Sequence, residues 1–135
     1  MNSADYRTTG LSLKAHPFSF LREQITALNA VRAVDLQEIE AGRPVVVAGL
    51  VLLRQRPGTA KGVTFMTMED ETGQVNLVVW QRVWDRYRRI APSASALLVS
   101  GELQKAGGVI HVVVRRMQDL SIRLAEVPFR SRDFR

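Results

Sequence analysis

The side chains able to do chemistry are few, and they are badly spaced for catalysis. His16 and His111 lie near opposite ends of the 135-residue chain, and neither has carboxylate companions at metal-ligand spacing. The sequence has no cysteine, which removes a thiol nucleophile, a thiolate metal site and a disulfide framework. Glu69, Asp70 and Glu71 form an acidic cluster at the turn Asp70-Glu71-Thr72-Gly73. An Asp in such a turn commonly accepts from backbone amides, and successive residues there point in different directions. Gly107-Gly108 lacks the Gly-Lys-Ser/Thr ending and the following helix of a phosphate-binding loop. No base, nucleophile and oxyanion donor can be assembled, so neither catalysis nor a cofactor nor a metal is expected. What recurs instead is cations and aromatic rings: Arg54, Arg56 and Lys61 around one loop, Phe65, Asn76 and Trp80 on strands, and Lys105 beside a glycine pair. Their chemistry is stacking on bases, hydrogen bonding to base edges and contact with phosphates. The net charge of +6 and the pI near 10.7 favour a polyanionic partner in the same way.

Positioning these residues requires strands. Val45–Arg56 is long, β-branched and interrupted by Gly49, a candidate bend or bulge. A turn-rich loop, Pro57–Gly62, leads to Val63–Glu69, and the tight turn that follows leads to Gln74–Trp80. Val83, Trp84, Tyr87 and Ile90 then fall at helical spacing over Gln81–Ile90, which Pro92 and Ser93 end. Ala96–Gln104, a turn at Lys105–Gly108 and Val109–Leu120 complete the pattern. Three strands, a helix and two strands is the order of an all-β, five-stranded OB-fold Greek-key barrel with its helix between strands three and four. Upstream, Asp5–Gly10 reads as a helix end, Leu11–Lys14 as extended and Pro17–Leu28 as an amphipathic helix with Phe18, Leu21, Ile25 and Leu28 on one stripe. The expected division is an N-terminal helical segment over 1–42, the OB domain over 43–120 and a basic tail over 121–135, frayed over Val127–Arg135. No segment approaches the roughly 18 apolar residues of a membrane span. No export signal is read at the N-terminus, where Asp5, Arg7 and Lys14 stand, so a cytoplasmic location without membrane contact is expected.

On an OB fold, single strands are held by stacking and by a basic groove, centred on strands two and three and flanked by the loops between strands one and two and between four and five. Met66 and Met68 share one face of the second strand and suit the interior, so Phe65 points outward as a stacking ring. The competing reading has Phe65 packed under the N-terminal helix. Asn76 falls on the matching outer face of the third strand, and Trp80 shares its parity, either as a second platform or as a cover for the barrel mouth. Arg54, Arg56 and Lys61 are candidate phosphate contacts, against a solvated sheet edge as the alternative. Lys105 fits the opposite wall. Arg82, Arg86, Arg88 and Arg89 read as a solvated basic face or a docking surface for another domain.

The stretch Arg54 to Gly73, RQRPGTAKGVTFMTMEDETG, resembles the OB domain of bacterial C-family DNA polymerases, the group of the DNA polymerase III α-subunit, and is most similar to its error-prone branch. Asp5–Leu13 with His16-Pro17 and Leu21-Arg22 resembles the segment just upstream of that domain, and Ser131–Arg135 the extreme C-terminus of the same branch. The second strand also resembles that of anticodon-binding OB domains of some aminoacyl-tRNA synthetases, where the aromatic matching Phe65 stacks on a base. The palm carboxylates and the histidinol-phosphatase-like domain of the polymerase family have no counterpart here. The resemblance therefore implies a non-catalytic C-terminal part that binds single-stranded DNA in damage-induced synthesis, partnered by the rest of a C-family polymerase or its accessory proteins. The alternative is a protein-docking module for polymerase or clamp-associated partners, using the stripe of Phe18, Leu21 and Ile25 as its exposed surface.

Overall fold

A computed structural model describes residues 16–56 and 62–122. The expected elements at Asp5–Gly10 and Leu11–Lys14, the loop residues Pro57–Lys61, and the tail from Arg123 to Arg135 lie outside the described residues.

Helix α1 spans Pro17–Thr26. Its start is built from two residues. Pro17 occupies the first turn, where its missing N–H leaves no bond unmade. His16 Nδ1 accepts from the Phe18 N–H at 3.1 Å. Accepting at Nδ1 assigns the ring proton to Nε2, which then donates to Glu69 Oε1 at 3.3 Å. The helix stops two residues before the expected Leu28. Asn29 takes the left-handed conformation at φ 72, and the Ala30 N–H closes back on the Ile25 carbonyl at 3.0 Å, the six-to-one bond of a helix stop. A 3-10 turn follows over Ala33–Glu38.

Five strands then close into a barrel: β1 (Pro44–Gln55), β2 (Val63–Asp70), β3 (Gly73–Trp80), β4 (Ala96–Ala106) and β5 (Val109–Asp119), with helix α2 (Gln81–Arg86) between β3 and β4. Around the barrel the order is β1-β2-β3-β5-β4, and β4 pairs back onto β1. All pairs are antiparallel except β3 with β5. This is the five-stranded Greek-key arrangement expected from the order of elements. β1 is long because it serves both sides. Pro44–Leu50 pairs with β4, and Leu50–Gln55 pairs with β2. Gly49 sits at the changeover, where a Cβ would lie 2.8 Å from the Glu69 carbonyl oxygen. Gly49 is thus a point of close backbone approach. The bulge anticipated there falls at Leu52, between the pairs of Val51 and Leu53.

Alternation along the strands fills the interior with Val47, Met66, Met68, Leu77, Val79, Leu97, Val99, Leu103 and Val112. α2 is shorter than the helical spacing suggests. Only Val83 of its residues is buried, while Trp84, Tyr87 and Ile90 pack against the same core from α2 and the turns after it. The β4–β5 turn is made by Gly107 and Gly108, both at positive φ (59 and 82), as a two-residue hairpin loop of the I′ type requires.

α1 lies on the outside of this barrel. Phe18, Leu21 and Ile25 are buried with Ala48, Ala96 and Leu120, flanked by Val46, Leu50 and Leu98. The stripe proposed as an exposed docking surface is therefore covered by the barrel itself. An amphipathic helix of this length has to bury its apolar face, and the β1–β4 surface supplies the partner.

A polar strut fixes α1 in place. Buried Asp70 accepts through Oδ1 from the Thr72 N–H (2.7 Å), the Thr72 hydroxyl (2.8 Å) and the Gly73 N–H (3.1 Å). Its Oδ2 accepts from the Ala33 N–H at 2.8 Å and from Arg22 Nη2 at 3.3 Å. Arg22 also holds Glu71 with two bonds, at 2.7 and 2.9 Å. The hydrogen bond to Glu71 is the main cause of the raised Arg22 pKa. The acidic cluster thus joins α1, the 3-10 turn and the β2–β3 hairpin. Among the described residues no group of three His, Cys, Asp or Glu side chains is placed to hold a metal ion. No described helix is long and apolar enough to cross a membrane.

Candidate functional site

The register of the strands assembles one outward face. Phe65 pairs with Gln55 on β1 and Val78 on β3, and Thr67 pairs with Leu53 and Asn76. The parallel β3–β5 pairing sets His111 beside Asn76. Leu53, Gln55, Phe65, Thr67, Asn76, Val78, Val109 and His111 consequently line a shallow recess of about 300 Å³. Phe65 is 41% exposed and Val109 52% exposed. Leaving a phenyl ring half in water forgoes burial worth about 1–2 kcal/mol, so a ring held there has an unpaired apolar face available to a ligand. Phe65 is not under the N-terminal helix, whose apolar stripe packs on Ala48, Ala96 and Leu120. Asn76 Nδ2 makes only a long contact, 3.5 Å, with the Ile110 carbonyl, which leaves most of its amide's hydrogen-bonding capacity open.

Trp80 shares the parity of Asn76 and Val78. It pairs with Val63, two positions from the Phe65–Val78 pair, so it is the diagonal neighbour of Phe65 across an antiparallel pair, about 7–8 Å away. Its indole is 48% exposed. Trp80 also stands directly before α2, and with Gly62, Gln81 and Arg82 it borders a second recess of about 360 Å³.

Among the described residues, the cations expected around this face are engaged elsewhere. Arg54 pairs with Met66 and shares its inward parity. At the end of the barrel its guanidinium turns to the loop after α2 and donates to the Ala91 and Ala94 carbonyls at 2.7 and 2.5 Å. Burial lowers its pKa. Arg56, two residues on, follows the same parity. Its Nε donates to the Thr64 hydroxyl at 3.1 Å, and its guanidinium lies 5.3 Å from the centre of the Trp84 ring. Lys105 reaches the Gln37 carbonyl of the 3-10 turn at 3.1 Å. Phe65, Asn76 and Trp80 are thus brought together, whereas Arg54, Arg56 and Lys105 are not, and Lys61 lies outside the described residues. The sequence reading missed Leu53, Gln55, Val109 and His111. Their signal is the strand pairing, which no local pattern carries.

Such a face can stack a base, offer an amide to a base edge and grip sugar or base with apolar walls. Residues 45–120 match the family described as OB-fold nucleic acid binding domain. The chain belongs to that family. Relatives of this OB-fold domain by sequence are much longer proteins. It is 56% identical over 131 residues to a protein named error-prone DNA polymerase from Rhodopirellula baltica, covering 97% of this chain and 11% of that protein. A protein of the same name from Caulobacter vibrioides is 54% identical over 123 residues, again 11% of its length. The chain therefore spans about a ninth of the curated relatives it matches. Among solved structures, asparaginyl-tRNA synthetase from Pyrococcus horikoshii complexed with asparaginyl-adenylate superposes with a TM-score of 0.56 at 23% identity, over 67% of this chain and 22% of that one. The hypothetical protein ygiW from E. coli superposes with a TM-score of 0.52 at 13% identity, over 66% of this chain and 87% of that one. These two share the barrel fold.

Proposed function

We propose that this OB-fold domain holds single-stranded DNA across the outer face of β2 and β3, as the non-catalytic nucleic-acid-holding part of an error-prone polymerase α-type subunit. In that setting it positions the template strand during damage-induced synthesis. The observation that carries the reading is the outward, half-exposed Phe65 ring with Asn76 and Trp80 on the same face. The nucleic-acid-binding family and the similarity to proteins named error-prone DNA polymerase support it. Phe65 stacks a base, Asn76 bonds a base edge, and Leu53 and Val109 wall the recess. The binding unit is the barrel over 43–120, its partners are the remainder of a C-family polymerase or its accessory proteins, and its location is cytoplasmic. Arg54, Arg56 and Lys105 drop out of the ligand face.

Fluorescence titration with a short oligothymidylate tests this at low salt. Phe65→Ala should weaken binding by about 1–3 kcal/mol, the stacking of one base, while the thermal unfolding midpoint hardly moves. Equal affinities for the variant and the parent chain would defeat the assignment.

A further inference from the structure

Among the described residues the β2–β3 face has stacking groups but few free cations, whereas α2 and the turn after it carry several arginines. Arg82, Arg86, Arg88 and Arg89 are all exposed. Among the described residues their guanidinium groups take part in no ion pair and no hydrogen bond. Arg82 and Arg86 are four apart on α2 and so lie one above the other on its surface. The sole acid of that helix, Asp85, is engaged by Gln81 Nε2 at 2.7 Å. Arg82 borders the recess that Trp80 and Gly62 form, and Trp80 is the diagonal neighbour of Phe65. The two exposed rings and the arginine column are therefore consecutive along one surface route.

We infer that a bound single strand does not leave the barrel at Phe65 but continues over Trp80 and onto the Arg82–Arg86 face of α2, whose guanidinium groups take its backbone phosphates. This inference rests on the reading of the β2–β3 face as the ligand face. Trp80 is the second stacking platform on this route, and α2 supplies the electrostatic part of the binding. The alternatives for this basic surface, a solvated face or a docking site for a protein domain, differ in one measurable respect: neither adds to the salt dependence of DNA binding.

The test uses the full 135-residue chain with two oligothymidylates, one of about 4 nucleotides, the lower end of OB-fold site sizes, and one of about 12. Affinity is followed as a function of salt. For the longer oligomer, Arg82→Ala with Arg86→Ala should make the slope of log K against log salt shallower by about 1.4, since each single-strand phosphate contact contributes about 0.7. Lysine at both positions should restore the slope. The same alanine pair should leave affinity for the short oligomer unchanged, whereas Phe65→Ala weakens both oligomers. An unaltered slope for the alanine pair, with Phe65→Ala still weakening both, overturns the route over α2 and leaves the β2–β3 face standing. An unaltered affinity for Phe65→Ala overturns the face itself, and the route with it.

Discussion

Arg54 shows how a cation expected to contact phosphate can serve the fold. Its guanidinium donates to two carbonyls of the loop that follows α2. Arg54→Ala is expected to lower unfolding free energy by about 1.5–3 kcal/mol, the range for hydrogen bonds made by charged groups. Its affinity for a short oligonucleotide should remain that of the parent chain. Urea denaturation and titration on the same preparation separate the two effects. Asp70 is the complementary case. Five donors from three segments converge on one buried carboxylate. Asp70→Ala leaves the Ala33 and Gly73 amides without that acceptor and Arg22 with one carboxylate fewer. A loss of about 3–5 kcal/mol, the range for breaking a buried pair, is expected in urea denaturation. Asp70→Asn should cost less, because an amide oxygen can still accept from the Thr72 and Gly73 side of the turn.

At the level of elements, the tightest constraint is on β4. A Cβ on Gly101 would lie 2.1 Å from the Val113 carbonyl oxygen, beside the register shift between Ser100 and Gly101. Gly101→Ala must therefore displace β5 or break the pairing, and an unfolding free energy lower by about 3 kcal/mol is expected in chemical denaturation. Helix α1 contributes by burial. Phe18 is fully buried against the barrel, so Phe18→Ala should cost about 3–5 kcal/mol by the same measurement. Much of this was legible in the sequence. Alternation at Phe65, Met66 and Met68 told the interior of β2 from its exterior, and the order of strands and helix told the barrel. The fate of the cations was not legible. Which face Arg54 and Arg56 take depends on Gln55 pairing with Phe65, and that register depends on a one-residue bulge at Leu52 that no local residue type announces. His111 and Val109 reach the face through pairing between β3 and β5, which are separated by α2 and β4. The covered stripe of α1 was invisible for a related reason: an amphipathic helix shows that it must pack, not against what.

The whole molecule divides its labour by surface. One side of the barrel, over β1 and β4, is closed by α1 and the hairpin strut. The side over β2 and β3 keeps apolar and aromatic groups in water, and next to it α2 holds Arg82 and Arg86, which have no ion pair among the described residues. A folded chain has no internal use for an exposed Phe65, Trp80, Leu53 and Val109 on one continuous region, and the proposed base-stacking ligand would supply one. The most direct test is a backbone chemical-shift map of the 135-residue chain titrated with a short oligothymidylate. The account predicts that the largest shifts fall on Phe65, Thr67, Asn76, Val78 and His111. Shifts confined to the α1 surface or to the β1–β4 side, with β2 and β3 unmoved, would contradict it.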